Sequence, residues 1–177
     1  NRLRQIIPLE GVKKEFMAEI KKISIVIPVY DEAESLETLI REIRGAVDPL
    51  AIDTEILFID DGSRDETPAR LEHIREKHPG VSVIRFRRQF GKSAALDCGF
   101  RNASGDVVIT LDADLQDDPA EIPRFIEKIR EGWDLVSGRK KNRKDPWMKK
   151  MTSKIYNVVT ARFSGVKLHD FNCGFKA

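Results

Sequence analysis

Asp106-Val107-Val108-Ile109-Thr110-Leu111-Asp112-Ala113-Asp114-Leu115-Gln116 is a short apolar, β-branched run that empties into two carboxylates two residues apart. The first half has the composition of a buried strand. In extended backbone, residues i and i+2 point to the same side, so Asp112 and Asp114 are expected to converge just beyond the strand end. Two ionised carboxylates at that range repel unless a cation lies between them. A hard divalent ion with oxygen ligands, Mg²⁺ or Mn²⁺, suits them. The plainer alternative is a polar loop whose aspartates cap a helix starting near Pro119.

Outward from this stretch, strands and helices alternate. Ile23–Val29 reads as a fully buried parallel strand ending near Pro28. Asp31 with Glu34 forms a candidate capping pair, and Leu36, Leu39, Ile40, Ile43 and Val47 make one apolar helical stripe closed by Asp48-Pro49. A second strand over Glu55–Ile59 runs into Asp60-Asp61-Gly62-Ser63. Thr67-Pro68 fits a helix N-cap and first-turn proline, and His78-Pro79-Gly80 a stop. Val81–Phe86 alternates as a third strand. Gly91 opens a helix whose small residues Ala94, Ala95 and Gly99 allow close packing on a sheet. After the central strand, Ile122, Phe125, Ile126 and Ile129 mark another amphipathic helix ended by Gly132. Trp133–Val136 is expected as a fifth strand, and Met148, Met151, Ile155, Val158 and Val159 as a last helix.

This order predicts an α/β fold with a mostly parallel central sheet covered by helices on both faces and right-handed connections. Residues 1–22 read as a lead-in segment, with a weak helical pattern suited to an oligomer contact or a membrane surface. Residues 23–177 read as one domain. Ligands of such sheets bind beyond the carboxyl ends of the strands. There lie Pro28-Val29-Tyr30-Asp31-Glu32, Asp60-Asp61-Gly62-Ser63, Asp112-Ala113-Asp114 and Ser137-Gly138-Arg139.

The chain of 177 residues is 41% hydrophobic and 34% charged, which is the balance of a folded soluble domain. A formal charge of +2 names no partner. Its distribution is more telling: Arg139, Lys140, Lys141, Arg143, Lys144, Lys149 and Lys150 crowd one segment against Asp145. Cys98 and Cys173 are distant and match no metal spacing, as suits a reduced, cytosolic setting. No apolar run has the length of a membrane span. Because the chain starts at Asn1 and stops at Ala177 without a tidy ending, a fragment of a longer protein is expected.

Several chemistries lose support. Gly91-Lys92-Ser93 resembles the end of a phosphate-binding loop, but Phe86 occupies the position of its required first glycine. No G-x-G-x-x-G follows the first strand. His73, His78 and His169 lack zinc spacing, and no serine sits in a G-x-S-x-G elbow.

Taken in order, Pro-Val-Tyr-Asp-Glu, Asp-Asp-Gly-Ser, Asp-Ala-Asp-Leu-Gln and Ser-Gly-Arg resemble the family 2 glycosyltransferases of the GT-A fold. The likeness is greatest to the polyprenyl-phosphate glycosyltransferases, the group of dolichyl-phosphate mannose synthase. It runs from about Ile23 to Ala177 and includes the Asp170-Phe171-Asn172-Cys173-Gly174-Phe175 block. The resemblance implies a Rossmann-like GT-A sandwich and a UDP- or GDP-linked sugar donor with Mg²⁺ or Mn²⁺ on its diphosphate. It would place Pro28, Tyr30 and Glu32 in the nucleoside pocket, Asp61 on the base, and Lys92 and Asp112 at the diphosphate. Asp112, Asp114 and Gln116 would hold the metal, Gln116 through a neutral carbonyl oxygen. Asp31 departs from the asparagine that many relatives carry, which changes local charge beside the donor.

A sugar hydroxyl needs a general base, whereas a lipid phosphate arrives ionised and needs cations to position it. Arg139, Arg143 and Lys144 lie where the resemblance puts an acceptor loop, and arginine holds phosphate with paired donors. Trp147 beside them suits a membrane interface. Asp170 falls in the acceptor-side block, as a base or as an orienting group, with Arg139 as its catalytic companion. The expectation is an inverting transfer to a polyprenyl phosphate at the cytoplasmic face of a membrane, by a protein that binds no nucleic acid and is a possible homo-oligomer. Transfer to a saccharide hydroxyl is the alternative. A nucleic-acid-binding module built on residues 139–150 ranks far lower, since that segment has one aromatic and no recognition motif.

Overall fold

The computed structural model describes residues 19–138 and 175–177. Four strands, β1 (Lys22–Val29), β2 (Asp53–Asp60), β3 (Val81–Arg85) and β4 (Val107–Thr110), form a parallel sheet in the order β3-β2-β1-β4. Ile25 of β1 aligns with Ile56 on one side and Ile109 on the other. The connections are helical: α1 (Leu36–Val47), α2 (Thr67–Lys77) and α3 (Lys92–Asn102) link successive strands, and α4 (Ile122–Arg130) follows β4. From β1 the chain steps outward through β2 to β3, then returns to the opposite side of β1. The reversal opens a crevice between β1 and β4 at their carboxyl ends.

Both faces are covered, as the alternation of side chains requires. Ile23, Ile25, Ile27 and Val29 face a core shared with α1, α2 and α4. Val26 points the other way, into a smaller cluster with Leu57, Ile59 and Ala95 of α3. All five aliphatic residues of the α1 stripe are buried. Each contributes about 1.5–3 kcal/mol, a large fraction of the net stability of a domain. On the α3 face the small residues matter for a different reason. A Cβ added at Gly99 would lie 2.2 Å from Val26 Cγ1, so glycine sets how near the helix approaches the sheet.

Trp133–Val136 does not form the expected fifth strand. This short run is joined instead to the far end of the chain. Val136 N donates to Ala177 O (2.7 Å) and Ala177 N to Val136 O (2.9 Å). Lys176 bridges antiparallel to both Thr110 and Ser137. Residues 175–177 therefore lie between the end of β4 and residues 136–138. Phe175 anchors them, stacked on Phe125 of α4 with ring centroids 4.3 Å apart.

Two capping expectations are also corrected. The N-cap of α1 is Ser35, without a side-chain cap bond, and Asp31 bonds to another loop rather than pairing with Glu34. Thr67 is the first residue of α2, not its cap. Its N–H is taken by Asp65 Oδ1 at 2.9 Å, and its hydroxyl accepts a long-range bond described below.

No helix among the described residues is long and apolar enough to cross a membrane.

Candidate active site

The loops after β1 and β2 are laced together by main-chain donors and side-chain acceptors. Asp31 N donates to Ser63 Oγ (3.0 Å), Arg64 N to Asp31 Oδ1 (2.8 Å), Glu32 N to Thr67 Oγ1 (2.9 Å) and Ala33 N to Asp65 Oδ2 (3.4 Å). Burial pushes the Asp65 carboxyl up, but the bonds from Thr67 and Ala33 outweigh it and hold the group below its usual range. Asp31 has φ +53°, a left-handed conformation that aspartate and asparagine tolerate better than most residues. Its carboxylate is engaged with Arg64 N, and it is not among the residues lining the site cavity. Aspartate in place of asparagine therefore bears on the loop junction and not on the cavity wall.

Asp61 is 4% exposed. Its two carboxylate oxygens accept from Phe90 N (2.7 Å) and Gly91 N (2.8 Å), fixing the loop that leads into α3. Gly62 lets that loop come close: with φ +76°, a Cβ there would lie 2.6 Å from the carbonyl carbon of Arg88. Gly91 is the N-cap of α3, so Asp61 also holds the start of that helix. Lys92, the first residue of α3, reaches across to Asp112.

Asp112 and Asp114 stand in the turn after β4, not in the strand itself, because β4 ends at Thr110. Ala113 between them is buried in the main core. Asp114 Oδ1 accepts from Gln116 N at 3.0 Å, and the intervening Leu115 has φ +58°. A branched side chain in the left-handed region costs about 1–2 kcal/mol, and strain of this kind gathers at functional sites.

These pieces enclose one cavity of about 270 Å³ beyond the carboxyl ends of β1, β2 and β4. Pro28, Tyr30, Glu32, Asp61, Lys92 and Asp112, all singled out from the sequence for donor binding, line it together with Asp114. Val29 and Ala113, inside the same motifs, also line it, as does Gln89, which no motif marks. Gln116 is exposed and is not among the lining residues. Arg139, Arg143, Lys144, Trp147 and Asp170 lie outside the described residues.

Four carboxylates and one lysine carry the charge of the lining. Glu32 registers the imbalance. Its pKa is raised, first by burial and then by the negative charge of Asp114, with Asp65 and Asp112 adding to it, despite a bond from Ser35. A cation would relieve this repulsion. The donors are hard oxygens, as Mg²⁺ or Mn²⁺ prefers. No group of three or more His, Cys, Asp or Glu side chains among the described residues forms a metal cage. That fits an ion held by one or two carboxylates and completed by phosphate oxygens of a ligand.

A family model described as glycosyl transferase family 2 matches residues 24–177. Among solved structures, glucosyl-3-phosphoglycerate synthase of M. tuberculosis is 25% identical, with 88% of this chain and 56% of that one covered and a TM-score of 0.65. The same enzyme in complex with Mn²⁺, UDP and phosphoglyceric acid is 23% identical in the alignment, covering 88% and 55%, with a TM-score of 0.66. S. aureus TarS, residues 1–349, is 20% identical, covering 63% and 32%, with a TM-score of 0.53. This chain spans about half the length of the synthase it resembles. The parallel sheet with helices on both faces is thus the GT-A-type architecture expected from the order of motifs. With the family model spanning nearly all of the described sheet and its site loops, the chain belongs to glycosyl transferase family 2.

Proposed function

We propose that the chain is the catalytic part of a metal-dependent, inverting glycosyltransferase that moves a sugar from a UDP- or GDP-linked donor to a polyprenyl phosphate at a membrane surface. The observation that carries the donor half is the cavity beyond the ends of β1, β2 and β4, into which six sequence-marked donor residues and Asp114 converge. Pro28 and Tyr30 would flank the nucleoside. Asp61, already saturated on one side by Phe90 N and Gly91 N, keeps lone pairs for a base N–H. Lys92 would exchange its contact with Asp112 for the donor's diphosphate. Asp112 and Asp114 would hold Mg²⁺ or Mn²⁺, which, when bound, offsets the charge on the departing nucleoside diphosphate.

The acceptor half rests on resemblance. Arg139, Arg143 and Lys144 would grip the lipid phosphate, and Asp170 would orient it. The phosphate oxygen forms its bond to the anomeric carbon as the bond to the diphosphate breaks, and the electron pair leaves with the nucleoside diphosphate. The configuration at that carbon inverts.

The test is thermal stabilisation by a panel of nucleotide sugars with and without Mn²⁺, followed by transfer assays with polyprenyl phosphate, phosphoglyceric acid and saccharide acceptors. One nucleotide should raise the melting temperature in a Mn²⁺-dependent way. No shift with any nucleotide would overturn the donor assignment. Transfer to saccharide or phosphoglyceric acid alone would overturn the lipid acceptor and leave the donor site standing.

A further inference from the structure

A second cavity, of about 410 Å³, backs onto the first and shares Gln89 with it. Four arginines line it, Arg64, Arg85, Arg87 and Arg88, and no acidic side chain is among the described lining residues. Arg85 is held in place from beneath: its Nε lies 3.2 Å from Oδ2 of Asp60, which is fully buried, and its Nη2 donates to Ser63 O at 3.2 Å. Arg88 stacks over the ring of Phe90 at 4.9 Å, which orients its guanidinium without neutralising it. Arg64, Arg87 and Arg88 have no ion-pair partner among the described residues.

Three unneutralised guanidinium groups around one concavity create a positive potential that the fold maintains against their mutual repulsion. The planar, forked donors of arginine match the paired oxygens of a phosphate, and a phosphate brings more charge to three cations than a singly charged anion does. The loop that carries Arg87 and Arg88 is fixed by Asp61 and admitted by Gly62, with Arg85 at the end of β3 and Arg64 in the loop after β2, so the cluster is built into the wall between the two cavities.

We propose that this arginine-lined cavity is a second anion site, separate from the donor cavity, that binds the phosphate group of a phosphate ester or diphosphate. The site does not depend on the reaction proposed above. Two sources offer that chemistry, a soluble phosphate ester and a lipid headgroup. Phe90, 57% exposed beside Arg88, is placed to enter an interface if the source is a lipid.

The experiment compares the full chain with Arg87→Ala/Arg88→Ala, with Arg64→Ala as an independent variant. Arg101→Ala is the control, an arginine already paired with Asp97 at 2.9 Å. Inorganic pyrophosphate is titrated calorimetrically in EDTA, at low and high salt, in the native chain and in a Lys92→Ala background that silences the lysine of the donor cavity. Binding should persist in Lys92→Ala and weaken with salt. It should fall roughly tenfold or more in the double variant and measurably in Arg64→Ala, as expected for lost bidentate contacts, and stay unchanged in Arg101→Ala. In a second arm, flotation with phosphatidylcholine vesicles with and without phosphatidylglycerol distinguishes the sources. Attachment to the anionic vesicles that the double variant loses identifies a headgroup; pyrophosphate binding without attachment identifies a soluble ligand. The proposal is overturned if wild type and both arginine variants are indistinguishable in the two arms. It is equally overturned if pyrophosphate binding vanishes in Lys92→Ala and survives in Arg87→Ala/Arg88→Ala.

Discussion

Lys92 Nζ lies 2.5 Å from Asp112 Oδ1, joining the first turn of α3 to the turn after β4 beside the cavity that both residues line. The lysine side chain is half exposed. An ion pair this open contributes about 0–1 kcal/mol to folding, so its value lies in placing a cation beside the carboxylate pair. Lys92→Met is expected to leave the unfolding free energy within about 1 kcal/mol of wild type. The KM for the nucleotide sugar should rise roughly tenfold, as for loss of one charge-assisted phosphate contact. Steady-state kinetics beside urea unfolding check both.

Replacing the acidic pair acts in the opposite sense on stability and on binding. Asp112→Asn/Asp114→Asn removes the negative charges that help raise the Glu32 pKa. The metal-free protein should then melt at the same temperature or slightly higher, because a repulsion has been relieved. Mn²⁺-dependent stabilisation by nucleotide should disappear, and transfer should fall by about a hundredfold or more. Paired melting curves with and without Mn²⁺ and nucleotide read out both effects.

Gly99→Ala tests the contact of α3 with the sheet. The added Cβ would lie 2.2 Å from Val26 Cγ1, on a fully buried residue of the central strand. Overpacking of this kind costs about 1–3 kcal/mol. Combining it with Val26→Ala should recover part of the loss by making room for the methyl group. A double-mutant cycle in guanidinium chloride gives the coupling; strict additivity would mean that the helix had simply shifted.

At the opposite edge of the sheet, Glu55 predicts acid sensitivity. Burial pushes its carboxyl up, but hydrogen bonds from Ser24, from the main chain and hydroxyl of Ser104, and from Lys22 prevail and bring its pKa to about 2. A carboxylate depressed in the folded state stabilises fully above its unfolded pKa of about 4.5, and that contribution is lost as pH falls toward 2. Screening by solvent along its exposed edge reduces the contribution to about 2 kcal/mol. Glu55→Gln should therefore be less stable than wild type at pH 7, with the difference shrinking between pH 4.5 and 2. Denaturant titrations at stepped pH follow the convergence.

Local patterns made much of this architecture legible. The α1 stripe lies entirely in the core because its five residues share one helical face, a property of spacing alone. The gathering of the lining carboxylates in one cavity was legible too, since each follows an apolar strand run and so falls at one sheet edge. Asp31 and Thr67 show why other features were not. Their residue types suit a cap, yet their side chains accept from Arg64 N and Glu32 N, partners that become neighbours only after β1 and β2 pair. Leu115 in a left-handed conformation runs against its own preference, so no propensity could signal it. Trp133–Val136 had a strand's composition, but its partner is the tripeptide at residues 175–177.

That tripeptide also sets an order of assembly. Thr110, at the edge of the strand that leads to Asp112 and Asp114, exchanges main-chain bonds with Lys176, so the flank of the acidic turn is completed by residues far along the sequence from it. Pairings of such wide sequence separation form late and slowly. A nascent chain halted before Lys176 would expose the open margin of β4, an invitation to pairing between molecules. Shortening the segment by three residues is therefore expected to affect solubility during expression before it affects any step of catalysis.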